Sequence, residues 1–122
     1  MAMKGPIAAL CVAAAMTTAP HASAGALEVP QIRTSGQQTA TYQCADGKSL
    51  TVTYWNTDNG QSFALLPVGG NPLLFVDTLS ASGAKYQTGR YTWWTKGHNG
   101  DLYDAMAGQN APPILAGCSA VR

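Results

Sequence analysis

Charge is scarce in this chain. Only 11% of its 122 residues are Asp, Glu, Lys or Arg, and 7 basic against 6 acidic side chains leave a formal charge of +1. Near-neutrality argues against broad attraction to nucleic acid or an anionic membrane, although a compact local patch escapes such a count. Histidine occurs twice and cysteine three times, too few and too scattered for a zinc cluster. The length allows one small core and leaves no room for a nucleotide-binding α/β domain. Long apolar runs are missing as well. A spanning helix needs about 17–25 such residues, and the best stretch, Gly5 to Met16, is broken off by Thr17, Thr18 and Pro20.

What that stretch does fit is a leader. Lys4 supplies a positive start, Gly5 to Met16 an apolar run, and Ala22-Ser23-Ala24 a small-residue cleavage pattern. Residues 1–24 therefore read as a signal peptide cut after Ala24, and the protein as exported to the periplasm in soluble form. Cys11 follows Leu10 rather than a small residue and sits inside the apolar run, so a lipidated anchor is not expected. Losing Lys4 with the leader leaves acidic and basic side chains in balance.

Two cysteines remain after cleavage, Cys44 and Cys118. In an oxidising compartment an even pair in a small domain is most simply one structural disulfide. Free thiols or an intermolecular bridge are the alternatives, and without a Cys-x-x-Cys spacing a redox-active pair is not expected.

From there the pattern has period two. Residues 25–37, with Pro30 and Gly36, read as a loosely structured lead-in, and 38–122 as the folded domain. Ala40, Tyr42 and Cys44 alternate with polar neighbours up to a turn at Asp46-Gly47. Leu50, Val52 and Tyr54 continue on a second, antiparallel strand. Asn59-Gly60 marks the next turn. Phe63–Leu66, Leu73–Val76 (with Leu79 as a further extension), Tyr91–Lys96, Leu102–Met106 and Ile114–Val121 supply further strands, separated by Gly- and Pro-marked loops that include Ser80–Gly83, Gly97–Gly100 and Gly108–Pro113. No stretch carries a sustained helical stripe. Seven or eight half-buried strands predict an all-β fold, a small antiparallel barrel that closes its own edges or, as the alternative, a sandwich.

Enzyme chemistry finds little support. His98 is the sole histidine after cleavage and has no sequence-local partner. Asp101 and Asp104 read as solvated carboxylates, so no metal site and no cofactor are expected. Ser82-Gly83-Ala84-Lys85 has the Ser-x-x-Lys spacing of a known nucleophile motif, but that motif lies on a helix of a far larger domain, whereas this segment is a loop between strands. No triad is available either. More informative is the pairing of that small, flexible loop with Tyr91-Thr92-Trp93-Trp94-Thr95-Lys96-Gly97. Successive strand residues face opposite ways, so Trp93 and Trp94 cannot share one core, and one of them covers the exterior or supports the loop.

Tyr42-Gln43-Cys44, Asp46-Gly47, Leu50-Thr51-Val52-Thr53-Tyr54, Ser82-Gly83-Ala84-Lys85-Tyr86, the Tyr91-to-Gly97 segment and Cys118 together resemble the family of periplasmic and membrane-bound inhibitors of c-type lysozyme. The resemblance covers about residues 40–118 and is nearer the soluble periplasmic branch. It implies an eight-stranded antiparallel barrel that binds rather than catalyses, with c-type lysozyme as partner. It also implies that Ser82 and Lys96 enter the lysozyme cleft, with Gly83 in the same loop and Tyr86 as a supporting member. A Ser hydroxyl can hydrogen-bond the two catalytic carboxyl groups, and a Lys ammonium can pair with the ionised aspartate. His98-Asn99-Gly100-Asp101 departs from the family pattern, which leaves the shape of that turn open. The runner-up is a small exported barrel that binds an apolar or glycan ligand on its tryptophans. The aromatic and glycine-rich surface could support a homodimer, but no heptad or exposed-strand signal fixes one.

Overall fold

The computed structural model describes Gly5, residues 12–15 and residues 24–121. Most of the expected leader lies outside the described residues. Among the described residues, no helix is long and apolar enough to cross a membrane.

Eight strands follow in order: β1 (Thr34–Gln43), β2 (Ser49–Thr57), β3 (Ser62–Val68), β4 (Asn71–Thr78), β5 (Ala84–Thr88), β6 (Tyr91–Lys96), β7 (Asn99–Asp104) and β8 (Leu115–Ala120). Each pairs antiparallel with the next, and β8 returns to β1 through Tyr42↔Ala120 and Gln43↔Ser119, so the sheet closes into a barrel. Closure leaves no free strand edge, and the sandwich is set aside. Cys44 and Cys118 form the disulfide, bridging 74 positions of sequence. On the chain-entropy model a loop of that length is worth about 4.5 kcal/mol.

Period two becomes two faces. Tyr42, Leu50, Val52, Ala64, Leu66, Phe75, Tyr86, Trp93, Leu102 and Cys118 fill the interior. Trp93 is at the centre, fully buried, with its ring edge-on to Tyr42 at 5.2 Å. Its Nε1–H donates to the Tyr54 hydroxyl at 2.8 Å, and the Tyr54 and Tyr42 hydroxyls share a hydrogen bond of 2.8 Å. A wide indole therefore enters an apolar core without leaving its N–H unpaired.

Several boundaries differ from the sequence reading, each for a physical reason. β1 begins at Thr34, inside the expected lead-in, because β2 continues to Thr57 and offers it a partner across a register irregularity beside Gly36. The residues just before it are not idle. Leu27, Val29 and Ile32 line an apolar groove of about 800 Å³ with Trp55, Phe63 and Leu65 on the outer face of β2 and β3. The expected Gly97–Gly100 turn is shorter, since Lys96 pairs with Asn99 and only Gly97 and His98 make the loop. Gly97 has φ +59 and His98 is not left-handed, the sign pattern of a type II′ hairpin. Gly100 lies in β7 because the Trp93 ring rests on it: a Cβ there would sit 2.4 Å from Trp93 Cζ2. Met106 leaves the strand for a 3₁₀ turn, Ala105–Ala107, where its N–H donates to Asp104 Oδ1 at 2.9 Å.

The two carboxylates are not merely solvated. Asp104 receives Arg90 Nε and Nη2 at 2.8 and 2.7 Å, and this fork holds its carboxyl below the usual carboxylate range. Asp101 accepts from the Gly117 N–H at 2.8 Å, tying β7 to β8. Among the described residues no group of three His, Cys, Asp or Glu could hold a metal ion.

Candidate functional site

The loop between β4 and β5 folds on itself. Ser80 Oγ donates to the Ser82 carbonyl and accepts from the Ser82 N–H at 3.3 Å. Its base is braced by Thr78 Oγ1, which donates to the Lys85 carbonyl at 3.1 Å. A serine two residues upstream thus satisfies the main chain of Ser82, leaving the Ser82 side chain exposed. Among the described residues the Ser82 hydroxyl has no hydrogen-bond partner.

Gly83 lets this loop lie against β6. It has φ +67, and a Cβ there would come within 2.1 Å of the Thr95 carbonyl oxygen and 2.8 Å of Lys96 Cγ. Both the left-handed backbone and the space require glycine. The loop is therefore seated directly against Lys96.

Trp94 completes the connection. It lies on the outer face of β6, opposite Lys85 on β5, and its Nε1–H donates to the Ser82 carbonyl at 2.9 Å. The ammonium groups of Lys96 and Lys85 stand 4.6 and 4.8 Å from its ring centroid, within cation–π range. Among the described residues, neither ammonium has a carboxylate within ion-pair distance. One indole therefore holds the serine loop by its edge and gathers two positive charges on its ring. The expected division of labour between the tryptophans is present, with Trp93 inside and Trp94 under the loop.

Tyr86 is in a different place from the other three candidates. It is 8% exposed and faces the interior, its ring 5.5 Å from that of Tyr54. Burial pushes its phenol up, and the nearby Asp77 adds to the shift. Ser82, Gly83 and Lys96 share one exposed edge, whereas Tyr86 anchors β5 from below and presents no contact surface. Two neighbours were not among the expected site residues. Leu79, placed in a strand extension, lies beyond β4 and is 99% exposed beside the loop. Lys85 gives no sign of its ring contact until the β5–β6 register is known.

The arrangement presents a hydroxyl and an ammonium on a braced projection, with an exposed leucine beside them. Such a surface can insert into a cleft and offer a donor and a positive charge, but it contains no activated nucleophile and no base set against one.

The family model described as membrane-bound lysozyme-inhibitor of c-type lysozyme matches residues 42–111. Among curated proteins, the chain is 52% identical over 79 residues to a membrane-bound lysozyme inhibitor of C-type lysozyme from Cupriavidus necator, covering 65% of this chain and 62% of that protein. It is 46% identical over 68 residues to the Pseudomonas aeruginosa protein of the same description, covering 55% and 53%. The match thus spans between half and two thirds of those relatives' length. The solved structure of Pseudomonas aeruginosa MliC in complex with hen egg white lysozyme superposes with TM-score 0.64 at 33% identity, over 82% of this chain and 98% of that one. The periplasmic lysozyme inhibitor of C-type lysozyme from Salmonella typhimurium superposes with TM-score 0.62 at 25% identity, over 71% and 100%.

Proposed function

The chain belongs to the family of membrane-bound lysozyme inhibitors of c-type lysozyme, and from that premise we propose that it is a periplasmic protein that blocks the catalytic cleft of a c-type lysozyme. Ser82 and Lys96 are the residues that enter the cleft. Gly83 allows the loop its close seat, Tyr86 holds β5 in place, and Leu79 adds apolar contact at the side. Residues 1–24 are the export signal and are removed, and the barrel that begins with β1 at Thr34 is the inhibitory unit.

The observation that carries this reading is the Trp94 link. It brings to one edge a hydroxyl with no hydrogen-bond partner and an ammonium with no ion pair among the described residues, and it fixes the Ser82 main chain beside them. A c-type lysozyme works with a protonated glutamic acid and an ionised aspartate. Lys96 supplies the opposite charge for the aspartate in a site with little water, where a charge-assisted hydrogen bond is stronger than at an open rim. The Ser82 hydroxyl can donate to one carboxyl oxygen and accept from the protonated acid. Occupied in this way, neither group can reach the sugar. No covalent step is involved.

The barrel itself is the support. Its interior is filled by side chains, Trp93 among them, so the described residues leave no cavity inside the barrel for the apolar or glycan ligand of the alternative reading. The concave surfaces beside Trp55 and Trp94 both lie on the outer face.

The test is lysis of cell-wall suspensions by hen egg white lysozyme, titrated with the purified protein. The unmodified protein should stop lysis. Lys96→Ala should weaken inhibition by about 2–5 kcal/mol, since truncation strands the lysozyme aspartate, and Ser82→Ala by about 1–3 kcal/mol. Lys48, which is exposed and 3.7 Å from Asp46 at the opposite hairpin, is the control, and Lys48→Ala should change little. Full inhibition by the Ser82→Ala, Lys96→Ala double variant would rule the mechanism out.

A further inference from the structure

We infer that Lys85 is a third recognition residue of this surface, one that binds a carboxylate at the mouth of the cleft while Lys96 goes to its floor. The inference rests on the inhibitor reading and extends it.

Its basis is the pair of charges on Trp94. Lys85 is cross-strand from Trp94, and Lys96 is two residues further along β6 on the same outer face. Both ammonium groups converge on one ring, at 4.8 and 4.6 Å. Each is attracted to the face of the ring, but two like charges drawn to it repel one another. The two lysines are diagonal neighbours on one face, a separation that long side chains bridge.

A counter-charge within this chain would relieve that repulsion, and none among the described residues takes the role. Asp101 is the next residue in the same cross-strand row, beyond Trp94, but it is occupied by the Gly117 N–H and lies outside ion-pair distance of both lysines. The ion pairs among the described residues are Lys48–Asp46 and Arg90–Asp104. A chain with so few charges has thus placed two cations on one indole, neither with an ion pair among the described residues. What complements them is a partner with carboxylates at two depths.

The two lysines differ in reach. Lys96 is exposed near the end of its strand, against the projecting loop, whereas Lys85 is half-buried within β5. Lys96 can follow Ser82 inward. Lys85 is set back and meets the rim. A charge at a rim acts chiefly on the rate of association and on its salt dependence, whereas a buried pair acts on dissociation. That difference separates the roles.

The experiment measures association and dissociation with immobilised hen egg white lysozyme, from about 50 mM to about 300 mM salt, a range over which rim charges become screened. Lys85→Met keeps an unbranched stem against Trp94 and removes the charge. It should slow association about three- to tenfold at the lowest salt, leave dissociation nearly unchanged, and flatten the salt dependence. Lys85→Arg should restore both the rate and the slope, and Lys85→Glu should slow association further. Lys96→Met should act mainly on dissociation. Association of Lys85→Met as fast as that of the unmodified protein at every salt concentration, with Lys96→Met still impaired, would overturn the role of Lys85 and leave the inhibitor reading standing. Equal impairment of Lys85→Met and Lys85→Arg would overturn it too, by making Lys85 a structural prop for the indole. If the unmodified protein fails to bind lysozyme at all, the inhibitor reading itself fails.

Discussion

At the scale of single residues, the site depends on an atom that is absent. Gly83 has no Cβ, and the space a Cβ would take is filled by the Thr95 carbonyl and the Lys96 stem. Gly83→Ala must therefore move the loop away from β6, and it also forces alanine into a left-handed backbone. Together these should cost about 1–3 kcal/mol of folding stability. Inhibition should fall further than with Ser82→Ala, because displacing the loop misplaces the hydroxyl and disturbs Lys96 at the same time. Urea unfolding and the lysis assay on one preparation will separate the two effects. If Gly83→Ala behaves like Ser82→Ala in both, the close seat has no part in recognition. Ser80 is the quieter partner here, since its hydroxyl satisfies the main chain of Ser82.

At the scale of elements, β6 carries two tryptophans on opposite faces, and their tasks separate cleanly. Trp94→Phe keeps an aromatic face for the lysines and removes the N–H that holds the Ser82 carbonyl. The melting temperature should stay nearly constant, and inhibition should weaken by the net worth of one hydrogen bond, about 0.5–1.5 kcal/mol. Trp93→Phe should do the reverse. It opens a void in the core and removes the donor to Tyr54, destabilising by about 2–4 kcal/mol, while inhibition per folded molecule stays intact. Thermal unfolding together with lysis titration checks both. This alternation was legible in the sequence, and so were the turn at Asn59-Gly60, the closing strand and the disulfide. Period two identifies faces but not partners, however, so the stacking of Lys85 on Trp94 had to wait for the register. A glycine inside a strand and a glycine in a turn look alike in sequence. Gly100 was therefore read as part of a turn, although its place is set by the Trp93 ring from the neighbouring strand β6. Met106 likewise continued an apolar pattern that Asp104 interrupts through a side-chain hydrogen bond.

At the scale of the whole molecule, a short chain with little charge keeps its shape through closure, one covalent tie and a polar join inside the barrel. The disulfide connects the region after β1 to β8, so the ends of the sheet are held where the barrel closes. The polar join runs through Tyr54, which is on β2 but bonds to Tyr42 on β1 and Trp93 on β6. Burial drives the Tyr54 phenol far above its ordinary value of 10.0, with the Tyr42 hydrogen bond adding to the rise and the Trp93 hydrogen bond opposing it. The consequence for stability has a definite sign. Above about pH 10 the unfolded chain releases the Tyr54 proton while the folded chain retains it, so the folded state binds more protons and stability falls as pH rises. The contribution is whole below that pH and is lost progressively toward the folded-state value. Urea midpoints from about pH 8 to about pH 11.5 should therefore decline on the alkaline side. Tyr54→Phe should begin lower, because the Trp93 N–H loses its acceptor at a cost of about 1–3 kcal/mol, and its alkaline decline should be shallower, the remainder belonging to Tyr86, whose phenol is also raised. A variant with the same alkaline slope as the unmodified protein would mean that Tyr54 does not couple proton release to opening of the barrel.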